Sequence, residues 1–151
     1  MRHTFKRTQV IKRPRREVFE FFQDASNLEL LTPPFLKFSI LTEKPIDMRE
    51  GALIDYQLSL YGIPFKWRTK IGVYEPDIRF TDTQIKGPYR YWHHLHEFRD
   101  IEAGTEMVDV VDYEIPLGPL GNVARYLFVE RNLNTIFDYR RDTIAQYFEE
   151  K

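Results

Sequence analysis

Cysteine is absent from this chain of 151 residues, which excludes a disulfide scaffold and any thiolate metal centre. No apolar run approaches the ~20 residues that a membrane span requires, and no short apolar block of a secretory signal opens the chain. Charge of one sign is missing as well. With 22 Lys and Arg against 23 Asp and Glu the net charge is −1, so neither a broad phosphate-binding surface nor a nucleic-acid partner is expected. These absences describe a soluble, cytoplasmic protein without stable membrane insertion. What is abundant is aromatic: 12 Phe, 9 Tyr and 2 Trp make up 15% of the chain, far too many for a disordered segment and enough for a large core or an aromatic-lined pocket. The length suits one domain over residues 1–151.

The N-terminal charge is lopsided, since Arg2, Lys6, Arg7, Lys12, Arg13, Arg15 and Arg16 all precede the first acid, Glu17. Their alternation with apolar positions reads as a strand with one solvated face rather than a nucleic-acid arm. The strand covers residues 2–12 and stops at Pro14, whose missing N–H suits the first turn of a helix. Val18, Phe19 and Phe22 then mark a short amphipathic helix over 14–23, and Ser26 is placed to cap a second over 26–31. Thr32-Pro33-Pro34 ends helical structure before Phe35.

From Leu36 to Ile115 the period is two. Turn residues at 45–51, 62–64, 75–77, 87–88 and 100–104 delimit six strands near 36–43, 52–60, 65–74, 78–86, 90–99 and 105–115, an antiparallel meander by its short connections. Residues 116–121 close the sheet, and 122–149, free of Gly and Pro, form one helix of about seven turns. Val123, Leu127, Leu133, Phe137, Ile144 and Phe148 share a stripe about 120° wide on it, so the helix lies against the sheet. Glu130, Asn134 and Arg141 fall on the same stripe, which suggests a partly sealed face or a lumen.

Several stretches together resemble the START-like, or helix-grip, superfamily (SRPBCC). They are Val18-Phe19 through Phe22-Gln23-Asp24, Asn27-Leu28 to Leu31-Thr32-Pro33-Pro34, Phe80 to Gln84, Gly87-Pro88-Tyr89, the Trp92/His94/His96/Phe98 alternation, and Tyr113 to Gly121. More narrowly the chain is similar to the bacterial ligand-binding branch labelled polyketide cyclase/dehydrase-like. The resemblance implies an α+β fold in which a seven-stranded antiparallel sheet bends around a long C-terminal helix, with two short helices between the first and second strands and an apolar cavity inside. It implies no cofactor and no metal. Carriers, sensors and cyclases share that fold, so the resemblance leaves catalysis open.

Hairpin arithmetic places the polar residues. A three-residue turn at 87–89 sets Gln84 opposite Trp92, Asp82 opposite His94 and Phe80 opposite His96; pairing Phe98 with Thr105 sets His94 opposite Asp109. Asp82, His94 and Asp109 then form one transverse row, with Gln84 and His96 alongside. Phe80, Trp92, Phe98, Met107, Val111 and Tyr113 share that face, whereas Arg79, Arg90, Glu97, Asp112 and Glu114 occupy the other, so the row points inward. Trp67, with Thr69 and Ile71, walls the same space. The candidate ligand-binding set is Trp67, Asp82, Gln84, Trp92, His94, His96, Asp109 and Tyr113.

Three roles suit the row. It satisfies a buried histidine structurally, it orients a mostly apolar guest by hydrogen bonds, or a carboxylate-tuned His94 with Asp82 or Asp109 performs acid–base catalysis of cyclase or dehydratase type. No nucleophile or oxyanion donor is identifiable, so no catalytic residue is assigned. His94 and His96 with Asp82 or Asp109 would supply three N/O metal ligands, but i, i+2 spacing is common by chance and no metal is expected. The preferred reading is a binding protein for a small hydrophobic or amphipathic molecule such as a lipid, isoprenoid, quinone or polyketide-like aromatic. The rivals are the enzyme and an interaction module without an open cavity, using the basic N-terminal edge and the 61–65 hairpin tip. Phe128 and Ile136 on a helix flank offer a pairing surface, yet the oligomeric state is not legible.

Overall fold

Alternation in β1, His3–Ile11, turns every second residue toward the core, ending on buried Ile11, while Lys6, Thr8 and Val10 face outward. The computed structural model describes residues 2–60, 62–116, 118–124 and 128–149. Pro14, at φ −58°, precedes α1, Arg15–Gln23, which buries Val18, Phe19, Phe21 and Phe22. A 3₁₀ turn, Ala25–Asn27, then leads into α2, Leu28–Leu31. Its cap is Asp24, whose carboxylate accepts the Ser26 N–H at 3.1 Å, and not the expected Ser26. Helical structure also continues past the prolines as a second 3₁₀ turn, Pro34–Leu36, because a proline at the start of a turn needs no N–H partner.

The sheet has seven strands in the order β1-β7-β6-β5-β4-β3-β2, all antiparallel where they pair. The strand expected over 36–43 shrinks to β2, Ser39–Ile40, since the 3₁₀ turn consumes its beginning. The others are β3 (Leu53–Leu60), β4 (Ile63–Glu75), β5 (Arg79–Lys86), β6 (Tyr91–Ile101) and β7 (Gly104–Glu114). Pro64 is tolerated near the start of β4 because the β5 pairing begins only at Arg68. Register shifts between Arg68 and Thr69 and between Ile71 and Tyr74 mark irregularities that bend this part of the sheet.

Two registers position the inward polar residues. In β5–β6, Phe80 pairs with His96 and Asp82 with His94 as the turn predicted, although the ladder ends at Thr83–His93 and leaves Gln84 outside it. In β6–β7, Phe98 faces Met107 rather than Thr105, so His96, not His94, sits opposite Asp109. The cause is the turn. Ile101 already pairs with Gly104, leaving only Glu102 and Ala103 between strands, so the register moves by two and every side chain keeps its face.

Helix α3, Gly118–Ala124, begins four residues before the expected position, with Pro119 in its first turn. Helix α4, Glu130–Glu149, follows. Of the expected stripe, Leu133, Phe137, Ile144 and Phe148 are buried and Val123 is exposed. Leu127 and Tyr61 lie outside the described residues. The buried arc also takes in Arg140, while Arg141 turns outward. Phe19, Phe80, Phe98, Met107, Ile144 and Phe148 pack one end of the interior, and Val111, Tyr113, Leu133 and Phe137 the other. Among the described residues no helix is long and apolar enough to cross a membrane.

Candidate functional site

Where the bent sheet lifts away from α4, a cavity of about 170 Å³ remains between them. Its walls are apolar: Leu28, Leu31, Leu36 and Phe38 come from the segment after α1, Ile54, Leu58 and Trp67 from β3 and β4, and Leu133, Ile136 and Phe137 from α4. One end is polar. There Asp82 from β5, His94 and His96 from β6 and Arg140 from α4 converge.

Strand pleating explains the convergence, because residues two apart on β6 share a face and their rings stack with centroids 3.7 Å apart. The two histidines bond diagonally rather than across the ladder. His94 Nε2 lies 2.8 Å from Asp109 Oδ1, and His96 Nε2 lies 2.6 Å from Asp82 Oδ2. Behind them His96 Nδ1 is 3.4 Å from Asp109 Oδ1 but makes no hydrogen bond, and Arg140 Nη2 reaches the same oxygen at 3.5 Å. Asp82 is the most accessible member, its side chain 18% exposed against 4% for His96 and 9% for Asp109.

These contacts set the protonation states. Burial pushes the Asp109 carboxyl up, but Arg140 and the two histidines outweigh it and hold the group well below the usual carboxylate range. Asp82 is likewise held low by the His96 hydrogen bond and the charges of His94, His96 and Arg140, against burial. Burial and the neighbouring His96 charge depress His94. His96, also disfavoured as a cation by burial, is raised overall because it lies between Asp109 and Asp82. The cluster therefore favours ionised carboxylates, and of the two imidazoles it favours His96 as the cation. A carboxylate only accepts, so His94 Nε2 donates to Asp109, and its Nδ1 lies 3.8 Å from Asp82 Oδ2.

Of the residues singled out in sequence, Trp67, Asp82, Trp92, His94 and His96 line the cavity. Asp109 stands behind the histidines and borders a water-sized gap of about 20 Å³ between β1 and α4. Tyr113 is buried in the apolar cluster beside Phe137. Gln84 is not brought in: its amide donates to the Tyr89 carbonyl at 2.7 Å and accepts the Tyr89 N–H at 3.1 Å, which clamps the β5–β6 turn.

Sequence reasoning missed Arg140 and Tyr56. Arg140 follows Phe137 by three and precedes Ile144 by four, which is core spacing on a helix. Tyr56 alternates with Ile54 and Leu58 on β3, stacks on Trp67 with centroids 5.7 Å apart, and lines the cavity. Burial and the Asp82 charge hold its phenol well above the usual tyrosine range. The buried Trp67 Nε1–H makes no hydrogen bond among the described residues. Asp82, His94 and His96 each present one ligand atom, all within 4.8 Å of one another.

Residues 11–138 match the family described as polyketide cyclase/dehydrase and lipid transport. No curated protein matches the chain. Among solved structures, the Zhui aromatase/cyclase from a Streptomyces species superposes with a TM-score of 0.76 at 15% identity, covering 99% of this chain and 94% of that one. Ara h 8.0201 gives 0.70 at 14% identity with 100% of both chains covered. A Thermus thermophilus protein gives 0.64 at 18%, covering 97% of this chain and 99% of its own. Likeness at these identities speaks to fold.

Proposed function

Since the chain belongs to the polyketide cyclase/dehydrase and lipid transport family, we propose that it binds a small hydrophobic or amphipathic molecule between the sheet and α4, with its polar end turned to Asp82, His94 and His96. The observation that carries this reading is the cavity's asymmetry, largely apolar along its walls with its charged and histidine side chains gathered in one cluster. Apolar burial, at roughly 25 cal/mol per Å², supplies affinity, and the polar end supplies direction. Tyr56 and Trp67, stacked with centroids 5.7 Å apart, give the wall a flat aromatic surface.

The test uses the protein's own reporters, because both of its tryptophans line the cavity. Titration with 2-naphthol is expected to quench their emission saturably, and Asp82→Asn to weaken 2-naphthol about tenfold, the equivalent of one lost hydrogen bond to a charged group. Naphthalene, which has no polar end, should lose nothing. Equal weakening of both probes removes the orienting role, and no quenching by either removes the binding reading.

The His96–Asp82 pair also favours acid–base chemistry on a bound β-hydroxy ketone. Asp82 would take the α-proton while His96 gives its proton to the departing hydroxyl, and transfer along their 2.6 Å bond would restore both groups as water leaves. This shifts the acid from the expected His94 to His96. It predicts turnover that His96→Gln abolishes while 2-naphthol binding survives.

A further inference from the structure

We propose that Asp82, His94 and His96 form a binding site for one divalent transition cation, zinc or iron(II) in class, opening onto the cavity. Both imidazoles present one nitrogen to Asp82 and the other to Asp109. On the inner side, His94 Nδ1 and His96 Nε2 lie 3.8 and 2.6 Å from Asp82 Oδ2. On the outer side, His94 Nε2 and His96 Nδ1 lie 2.8 and 3.4 Å from Asp109 Oδ1. A carboxylate behind a metal-bound histidine, accepting its remote N–H, fixes the tautomer that leaves the inner nitrogen free to ligate. Here one carboxylate stands behind two histidines.

The distances fit the chemistry. Ligand atoms held about 2.0–2.1 Å from a tetrahedral ion are roughly 3.3 Å apart, and 2.6 and 3.8 Å bracket that separation, so a displacement of Asp82 of under about 1 Å suffices. His94 Nδ1 makes no hydrogen bond among the described residues, and a ring proton on Nε2, toward Asp109, leaves its lone pair facing the ion. His96 Nδ1, buried and unbonded, would gain Asp109 as its partner once the ring turns its other nitrogen to the ion. The ion would set its positive charge against Asp82, while Arg140 continues to neutralise Asp109. Three protein ligands leave a position for water or for an oxygen of the guest, and two histidines with one carboxylate is a donor set used by zinc and by non-haem iron(II).

The inference extends the binding reading of the cavity, to which the ion would add a Lewis-acidic anchor, and it competes with the acid–base reading, since a nitrogen that holds a metal has no proton to give. The full chain, stripped with chelator, is titrated with Co²⁺ and then Zn²⁺. One equivalent of Co²⁺ should produce the visible absorption of a low-coordinate site, and Zn²⁺ should displace it. His94→Ala and Asp82→Asn are expected to weaken binding more than a hundredfold, and Asp109→Asn ten- to a hundredfold with the stoichiometry kept. His93→Ala should change nothing, because that ring pairs with Thr83 at 2.8 Å away from the cluster. Circular dichroism confirms that each variant is folded, and Asp82→Asn preserves side-chain shape should the alanine variant fail. No visible Co²⁺ band, or a band that survives His94→Ala or Asp82→Asn, overturns the site. Quenching by 2-naphthol in the metal-free protein tests the cavity separately.

Discussion

At the scale of single residues, the Asp109–Arg140 contact has the clearest energetic consequence. Both side chains are about nine-tenths buried, so each needs the other to make its charge tolerable there. Because Asp109 and Asp82 are held low in the folded chain, the unfolded chain binds more protons in acid. Their contribution is complete above the ordinary carboxylate value of about 3.9 and is lost as pH falls through the depressed folded values. His96, raised, stabilises below the ordinary histidine value of about 6.5 and loses that as pH rises; His94, depressed, has the opposite slope. For the metal-free protein, Asp109→Asn should cost about 3 kcal/mol at neutral pH and little in acid. Urea midpoints of variant and wild type should therefore converge as pH drops, and parallel curves would remove Asp109 from the account.

Among elements, the β6–β7 hairpin decides who meets whom. The alternation in Trp92, His94, His96 and Phe98 was readable in sequence and gave the correct inward face. The register was not, because Asp100 to Gly104 reads equally well as a long turn, whereas the chain closes on Glu102 and Ala103 alone. A slip of two moved Asp109 from His94 to His96 without changing its face, and the diagonal bond then rejoined it to His94. Gly104 permits the tight turn. Its φ is +141° and a Cβ there would press on the Ile11 carbonyl of β1. Gly104→Ala should thus destabilise by more than about 1 kcal/mol, the reverse of the slight gain that Gly→Ala brings where the backbone suits alanine. Thermal unfolding checks this, and an unchanged midpoint would show that the turn has room to relax. Helix α4 obeys the same rule. A stripe drawn through Val123 and Leu127 rotates the expected face toward Arg141; the face of α4 alone, from Leu133 to Phe148, flanks Arg140 and Arg141 evenly, and packing against the sheet turns Arg140 inward and Arg141 out.

For the whole molecule the governing quantity is the space between sheet and helix. A dry cavity of about 150 Å³ in another protein accepts benzene, so about 170 Å³ suits a guest of one or two rings. At a hundredfold excess over its Kd, 2-naphthol should stabilise the fold by about 2.7 kcal/mol, a melting shift of roughly 5–10 °C for a chain of this size. At that same concentration a long-chain fatty acid should shift it little unless α4 moves; an equal or larger shift from the fatty acid would show that the cavity expands to a lipid-sized lumen. The sequence by itself determined the order of the strands and their inward faces, because periodicity and turn chemistry are local and survive without coordinates, while particular residues carried the resemblance to the family. Tertiary structure alone decided the diagonal His–Asp bonds, the removal of Gln84 to a turn, the entry of Arg140 and Tyr56, and the cavity's size. Each of those depends on how a two-residue turn, the bending of β4 and the rotation of one helix bring distant side chains within hydrogen-bonding distance.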